Sequence, residues 1–287
     1  MQISVRSISR IITIENNLNM HTLRNTCLIA VTELSRALIT RRGLLSLTAF
    51  TLVWILILTT IIRTAPLLVQ NGASIGSMLG SETILSIAKW KVEEFGVHWF
   101  IGLYIFPICS IFYAADQTAS DRVRGTLKLL TLHTSRSSLF LGRFFGMMTV
   151  QAIVIALTLI STLVVAVLRD PALLSGSVAN AWFIWVNLMI VIAPYTALMA
   201  VISLFAKSGM QAMTYASILW IVLLFVIHYL SSRFPEAELL KTIFPGSQVS
   251  ELVKHHDWSS LVTVIIPAIQ TLVFLVLGLF IMHRVDL

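Results

Sequence analysis

Charged side chains are scarce in this chain. Only 11% of its 287 residues are Asp, Glu, Lys or Arg, whereas 57% are hydrophobic. Soluble domains usually carry about 25% charged residues, so this chain lacks the polar surface that would cover a globule in water. Its mean hydropathy of +0.90 indicates that lipid is the solvent for much of the chain, and we predict an integral membrane protein.

The chain has 13 acidic residues and 20 Lys and Arg residues, which gives a net charge of +7. In a soluble protein such basicity would suggest nucleic-acid binding. Here the basic residues lie beside apolar runs, which favours a positive-inside orientation and contact with anionic membrane lipid. We therefore expect no nucleic-acid partner. The two cysteines, Cys27 and Cys109, lie on different predicted segments and indicate neither a disulfide nor a metal site.

The sequence has no Gly-Lys pair, and so no phosphate-binding loop of the Gly-x-x-x-x-Gly-Lys-Ser/Thr type. His255-His256-Asp257 is the one metal-like cluster that we considered. Adjacent histidines point apart on a helix or strand, so a solvated loop is the favoured interpretation. We expect no catalytic, cofactor-binding or metal-binding residue. If transport is active, another subunit must bind ATP.

Long runs without Asp, Glu, Lys or Arg predict membrane spans, because about 20 apolar residues cross a hydrocarbon core about 30 Å thick. We place six all-α spans at 43–62, 95–115, 144–168, 181–206, 210–232 and 258–282. Pro171 to Asn180, ahead of the fourth span, is predicted to be a loop. Residues 1–21 are interpreted as a leader that need not be ordered, and 22–287 as the six-span membrane domain. Met1 and Met20 both remain candidate start residues.

Six spans put both termini on one side of the membrane. With the amino terminus in the cytoplasm, most Lys and Arg residues fall on the cytoplasmic side, as the positive-inside rule requires. Several tryptophans then lie near the outer ends of the spans, as in an aromatic belt: Trp90, Trp99, Trp182, Trp185 and Trp258. We therefore predict that both termini are cytoplasmic.

Pro107, Pro194 and Pro267 lie inside predicted spans. Proline removes a helical hydrogen bond and kinks the helix. A static kink is the commoner outcome, and a gating hinge is the alternative. His228 is the titratable residue that we assign near a span interior, where a packed role is commoner than a proton relay. No coupling to an ion gradient is indicated.

Residues 116–143 form the longest predicted cytoplasmic connection and are a basic island between apolar runs. Leucines and basic residues can line opposite faces of a short helix, which could fit a partner's groove and move the flanking spans. Gly125 permits a bend and Thr126 can cap the helix that follows. A solvated basic loop that only sets topology is the alternative.

The island resembles the signature of the ABC-2 permease family, the membrane subunits of many ATP-driven exporters. In that family an acidic residue precedes Gly-Thr-Leu, and a leucine pair, Ser-Arg and Leu-Gly-Lys follow. The matching residues are Asp121, Gly125-Thr126-Leu127, Leu129-Leu130, Ser135-Arg136 and Leu141-Gly142-Arg143. The usual proline before Ser-Arg is absent, and Arg143 replaces the final lysine.

The amphipathic segment before the first span resembles the family's elbow helix, with Glu33, Arg36, Arg41 and Arg42 as its charged residues. Such a helix usually lies in the membrane interface, and an ordinary cytoplasmic helix is the alternative. The carboxyl end, Arg284-Val285-Asp286-Leu287, resembles the family's usual ending.

The resemblance implies an exporter of the bacterial plasma membrane in which this chain pairs with a second copy or a related permease. Cytoplasmic ABC ATPase subunits would bind ATP and Mg²⁺ and hydrolyse the ATP, so this chain itself would not be an enzyme. Residues with an implied ATPase-coupling role are Asp121, Arg122, Arg124, Gly125, Thr126, Leu127, Leu130, Ser135 and Arg136. The charged members would contact the ATPase, and Leu127 and Leu130 would fill its groove.

Three alternatives remain open at this stage. The chain could be an ATP-independent channel, a secondary carrier, or a membrane scaffold that transmits motion to an extracytoplasmic partner. Apolar spans suit an apolar or amphipathic cargo such as a lipid, a peptide or a drug.

Overall fold

The computed structural model describes residues 22–70, 86–233, 242 and 244–284. Within these ranges the chain forms helices joined by turns and bends, with no strand. Six helices are long and apolar enough to cross a membrane, which confirms the all-α, six-span prediction. The predicted leader and residues 285–287 lie outside the described ranges.

The helices are numbered in chain order. They are α1 (22–39), α2 (Arg41–Ile57), α3 (Ala65–Gln70), α4 (Glu93–Ala114), α5 (Ala119–Val123), α6 (Thr126–His133), α7 (Arg136–Arg169), α8 (Leu174–Ser203), α9 (Gly209–Arg233), α10 (Val249–Leu252) and α11 (Ser260–Arg284). A π-helical stretch, Leu58–Ile62, prolongs α2, and a 3-10 turn, Pro171–Leu173, precedes α8.

Two helices begin seven or eight residues before the predicted spans. The side chain of Ser135 accepts a hydrogen bond from the Ser138 amide (3.1 Å) and starts α7 eight residues before the predicted span, at Arg136. The Asp170 carboxylate accepts from the Ala172 amide (2.9 Å), and Pro171 follows it at a position that favours helix initiation. The prediction of a loop over 171–180 is therefore wrong, because this cap starts helical structure there.

Helix α8 lies at the centre of the bundle and packs against α4, α7 and α11. In its most apolar window 83% of the residues are buried, against 11% for the spans of α2 and α9. Its buried residues include Ile184, Leu188 and Ile192. Because apolar residues cover all its faces, α8 has the composition of a buried helix, not of an amphipathic surface helix. The core therefore forms around the fourth span.

The three predicted prolines all lie inside helices: Pro107 in α4, Pro194 in α8 and Pro267 in α11. Each is buried. Their assignment as kinks or hinges stays a prediction.

The bundle has two chemically distinct ends. At one end lie α1, residues 116–135, the first turns of α7 and the last turns of α8 and α11, and we call this the charged end. At the opposite end Arg169, the last residue of α7, contacts Glu93 (3.0 Å) and Glu94 (2.9 Å) in the first turn of α4. Helices α4 and α7 are thus joined by ion pairs at the end that lies away from their covalent connection.

Polar side chains also meet near the middle of the bundle. Ser110 of α4 donates to Gln151 Oε1 of α7 (2.6 Å), and Gln151 Nε2 donates to Thr196 Oγ1 of α8 (3.1 Å). Buried polar groups in an apolar medium are stabilised only when they find such partners. These bonds fix the relative rotation of three central helices.

Candidate coupling site at the charged end

The island between α4 and α7 folds into two short helices, α5 and α6. The Asp116 carboxylate starts α5, accepting from the amide of Ser120 (2.9 Å) and from its hydroxyl (2.6 Å). Between α5 and α6, Gly125 has φ 72° and ψ 0°, the left-handed conformation that glycine adopts without strain. The island is therefore a helix–turn–helix, as the predicted bend at Gly125 required.

Contrary to the prediction, Thr126 does not cap the helix that follows it but contacts Asp121. Its hydroxyl donates to the Asp121 carbonyl oxygen (3.1 Å) and lies 3.2 Å from Asp121 Oδ1. It is the first residue of α6, and no side chain caps that helix. Thr126 thus ties α6 back to α5 and orients the Asp121 carboxylate.

Four charged side chains form an ion network inside the charged end. Arg143 Nη2 of α7 lies 2.6 Å from Asp121 Oδ2 of α5, and Arg36 Nη2 of α1 lies 3.3 Å from Asp121 Oδ1. Glu33 of α1 lies 3.4 Å from Arg36 Nη1 and 3.7 Å from Arg143 Nε. The network joins the elbow helix, the island and the third span.

The centre of this network is excluded from water. Arg143 is only 2% exposed and Asp121 7%. Arg143 Nη1 also donates to the Gln117 carbonyl (2.5 Å), whereas its Nε, 3.7 Å from Glu33, is too far for a hydrogen bond. A buried charge without its partner is strongly destabilising. The position of α7 against α5 therefore depends on this pair.

Burial and the neighbouring positive charges shift the pKa of Glu33 in opposite directions. Loss of water raises the pKa of the Glu33 carboxyl above its ordinary value, while the positive charges of Arg143 and Arg36 oppose the rise. The hydrogen bond to Asp121 raises the pKa of the Arg36 guanidinium. Arg36 is half exposed, so it is the member of the network that reaches solvent.

Three arginines of the charged end donate to backbone carbonyls at or just past the ends of spans. Arg122 Nη1 donates to the Leu204 carbonyl just past α8 (2.5 Å). Arg136 Nη1 donates to the Met282 and His283 carbonyls in the last turn of α11 (3.1 Å each). The third is Arg143, which bonds Gln117 beyond α4. Helix carboxyl ends carry unsatisfied carbonyls and partial negative charge. These bonds link the island to α8 and to α7, and they link the start of α7 to the end of α11.

Helix α1 lies directly on α7 because two glycines leave room for it. A Cβ at Gly142 would lie 2.7 Å from Ile29 Cβ, and one at Gly146 would lie 2.7 Å from Glu33 Cβ. The spacing of four puts both glycines on one helix face, as in close-packed membrane helices. This approach brings Glu33 within reach of Arg143.

The leucines predicted to form one face of α6 differ in burial, because one packs in the core and another is exposed. Leu127 is 1% exposed and packs with Leu139, Leu204 and Met282, so the expectation that it fills a partner's groove does not fit its position. Leu130 is partly exposed, and Leu132 is 78% exposed. Arg124 and Lys128 are also exposed. The outward surface of the island therefore has both apolar and basic residues.

The other predicted site residues are distributed as follows. Asp121, expected to contact a partner, faces inward to Arg36 and Arg143. Ser135 is the cap of α7. Arg41 is exposed at the start of α2, next to Thr40, whose hydroxyl accepts from the Gly43 amide (3.2 Å). The side chain of Arg42 lies outside what the structure describes.

Sequence reasoning missed several residues of interest. Gly146 has a readable signal, because it follows Gly142 by four residues. His98 lies within the predicted second span and was overlooked. It is fully buried, with Nδ1 2.9 Å from Thr162 Oγ1 and its ring 5.0 Å from that of Trp54. The side chain of His228, which we had assigned instead, is not described by the structure.

The comparisons with known proteins agree with this architecture. Residues 27–287 match the sequence model of a family described as ABC-2 family transporter protein. No curated protein matches the chain. The match covers all six spans, α5 and α6, and most of α1, and permeases of this family typically work with an ATPase partner. The chain is therefore a multi-pass membrane protein that belongs to the ABC-2 transporter family.

Proposed function

We propose that this chain is the permease subunit of an ATP-driven ABC exporter of the bacterial plasma membrane, paired with a second permease and served by cytoplasmic ABC ATPase subunits. One observation carries the proposal. The island is bonded to α1 through Asp121 and to the end of α8 through Arg122, and Arg136, which follows it at the start of α7, is bonded to the end of α11. A force on the island would therefore reach helices that are far apart in sequence.

The island is a suitable element for receiving such a force. It is short, and its inner face is held by the buried Leu127 and by the buried pair of Asp121 with Arg143. Interfaces packed in this way shift between discrete arrangements instead of deforming gradually. A push from a partner would move α5 and α6 as one piece with the neighbouring ends of α4 and α7.

The proposed ATPase-facing surface does not include every residue of the sequence motif, because several motif residues point inward. We assign the contact to the outward residues Arg124, Lys128, Leu130 and Leu132, which combine positive charge with exposed apolar area. The inward residues of the motif transmit the force to the bundle: Asp121, Arg122, Thr126, Leu127, Ser135 and Arg136. Gly125 joins the two helices that carry these surfaces.

The proposal requires the charged end to face the cytoplasm. It is supported by the accumulation of basic residues there, as the positive-inside rule describes. Both termini would then be cytoplasmic. ATP and Mg²⁺ would be bound by the partner subunit, with no catalytic role for this chain.

The test is purification of the tagged full chain from its native membranes, followed by reconstitution into liposomes. We expect an ABC ATPase to co-purify, and ATP hydrolysis by that subunit to change when the permease is present. Flux of ions or amphipathic dyes through liposomes that contain this chain alone, without ATP, would instead identify a channel or secondary carrier. Assembly with an ATPase but without movement of cargo would favour the scaffold that transmits motion outward.

A further inference from the structure

A cavity with several charged lining residues lies at the charged end, where α1 turns into α2. Its volume is about 550 Å³. Residues from α1, α2, α4, α7 and the island line it, and its charged lining includes Arg41, Arg124 and Asp116. The cavity borders the ion network but extends beyond it toward the start of the first span.

These three charges differ from the others in the cavity wall. Arg36, Glu33 and Asp121 neutralise one another and Arg143 through the ion network. Across the part of the chain that the structure describes, Arg41, Arg124 and Asp116 form no ion pair. Asp116 accepts from Ser120, and a carboxylate has further lone pairs for other donors. Among the described side chains, the cavity therefore presents two cations and one anion that belong to no ion pair.

The cavity is also level with the edge of the apolar bundle. Gly43, which lines it, is the first residue of the first apolar span. Phe112 lines it as well and is largely exposed, as are Leu44 and Leu45 on α2. A molecule whose polar part occupies the cavity could lay apolar chains along these side chains, in the position of membrane lipid.

We propose that this cavity binds the headgroup of a phospholipid that carries both a phosphate diester and a primary ammonium group, the chemistry of an ethanolamine phospholipid. Arg41 and Arg124 contact the phosphate, and Asp116 accepts hydrogen bonds from the ammonium. Arginine binds phosphate oxygens through paired N–H donors. A choline headgroup has no N–H to donate to Asp116, and a glycerol headgroup has no positive charge for it. Lipid binding here needs no ATPase partner, although Arg124 is shared with the proposed ATPase-facing surface.

The test is photolabelling of the full chain in phosphatidylcholine nanodiscs. Three diacyl probes that carry the same photoreactive group near the phosphate are compared at the same low mole fraction, with ethanolamine, choline or glycerol headgroups. We expect the ethanolamine probe to label peptides of α2 and of the segment around Asp116 most strongly. Equal labelling by the three probes, or labelling concentrated elsewhere, would overturn the proposal. Competition by soluble glycerophosphoethanolamine at the probe's own concentration would show that the acyl chains contribute nothing, and would overturn the assignment to a lipid.

Two variants separate the roles of the charges. Asp116→Asn keeps a side-chain carbonyl for the Ser120 amide and should abolish the preference for ethanolamine over choline. Arg41→Gln should reduce labelling by all three probes about tenfold, because each probe carries the phosphate with which Arg41 makes a charge-assisted contact. Arg124 is left unchanged, because it also belongs to the proposed ATPase-facing surface. Arg24→Gln, on the exposed part of α1 and outside the cavity, is the matched control. Unchanged labelling in Arg41→Gln, or a retained ethanolamine preference in Asp116→Asn, contradicts the proposal.

Discussion

Arg143 and Asp121 form a buried ion pair, Nη2 to Oδ2 2.6 Å, between the third span and the island. The resemblance to the family marks both residues, and the expected use of Asp121 was contact with a partner. Its partner is instead inside the same chain. The pair holds the island against the bundle, so its first consequence is for stability.

Replacing Arg143 with Met should destabilise the protein by about 3–5 kcal/mol, because Asp121 would keep a buried charge without its main partner. The measurement is the thermal unfolding midpoint of the full chain in detergent. The double variant Arg143→Met with Asp121→Asn should recover part of the loss, since neither charge then remains. Arg24→Met, at an exposed position of α1, is the control. Equal midpoints for Arg143→Met and the control would contradict a structural role for the pair.

Enlarging Gly146 to Ala should displace α1 from α7. The new Cβ would lie 2.7 Å from Glu33 Cβ, and overpacking of this kind typically costs about 1–3 kcal/mol. The readout is the unfolding midpoint together with disulfide cross-linking between cysteines placed in α1 and α7. Gly176→Ala is a matched control, because its nearest neighbouring atom, Val92 Cγ2, is 3.9 Å away. Unaltered cross-linking in Gly146→Ala would show that α1 does not need this close approach.

The contribution of Glu33 to the stability of the fold should decrease as the pH rises. Burial raises the pKa of the Glu33 carboxyl in the folded protein. The stabilising contribution of Glu33 to the free energy of unfolding is therefore complete below the ordinary glutamate pKa of about 4.3. This contribution is lost as the pH rises through the raised pKa. Glu33→Gln cannot ionise and does not lose this contribution. The unfolding midpoint of the variant relative to wild type should therefore increase from acid to neutral pH. A relative midpoint that falls over this range would mean that the arginines, and not burial, dominate at Glu33.

Lys128→Glu combined with Leu132→Asp should weaken ATPase association without destabilising the permease. Both residues are exposed on the outward side of α6, and substitutions at exposed positions usually change stability by less than about 0.5 kcal/mol. We expect recovery of the ATPase with the tagged chain to fall about tenfold, as for the loss of interface contacts of moderate strength. Lys254→Glu with Leu174→Asp, at exposed positions of the opposite end, is the control pair. Undiminished recovery would place the ATPase contact elsewhere.

Arg136→Gln should separate binding of the ATPase from transmission of force. The change shortens the donor that reaches the Met282 and His283 carbonyls of α11, while leaving the outward side of α6 intact. We expect normal co-purification of the ATPase but a loss of the permease-dependent change in ATP hydrolysis. Loss of co-purification in this variant would assign Arg136 to the ATPase contact itself.

The number and positions of the spans could be predicted because long uncharged runs have few alternatives to crossing a membrane. The early start of α8 could have been anticipated from Asp170 and Pro171, which form a helix-initiation signal within an uncharged run. The position of α8 at the centre of the bundle was harder to foresee, since all six runs are apolar and only packing distinguishes them.

The direction of the island's side chains could not be predicted from its own pattern. An amphipathic helix has two faces, and the pattern does not say which one a partner covers. Asp121 turns inward because Arg36 and Arg143, distant in sequence, neutralise it there. The charges that neutralise one another in the interior therefore come from three separate segments, α1, α5 and α7, and only the fold brings these segments together.

Helices α4 and α7 are connected at both ends. At the charged end the island and the Arg143 bonds link them, and at the opposite end Arg169 contacts Glu93 and Glu94. The two helices and their links therefore make a closed frame that resists splaying apart. In the most apolar windows of the α2 and α9 spans only 11% of the residues are buried. If the chain admits cargo as proposed, we expect the bundle to widen where these two lightly packed helices border the frame.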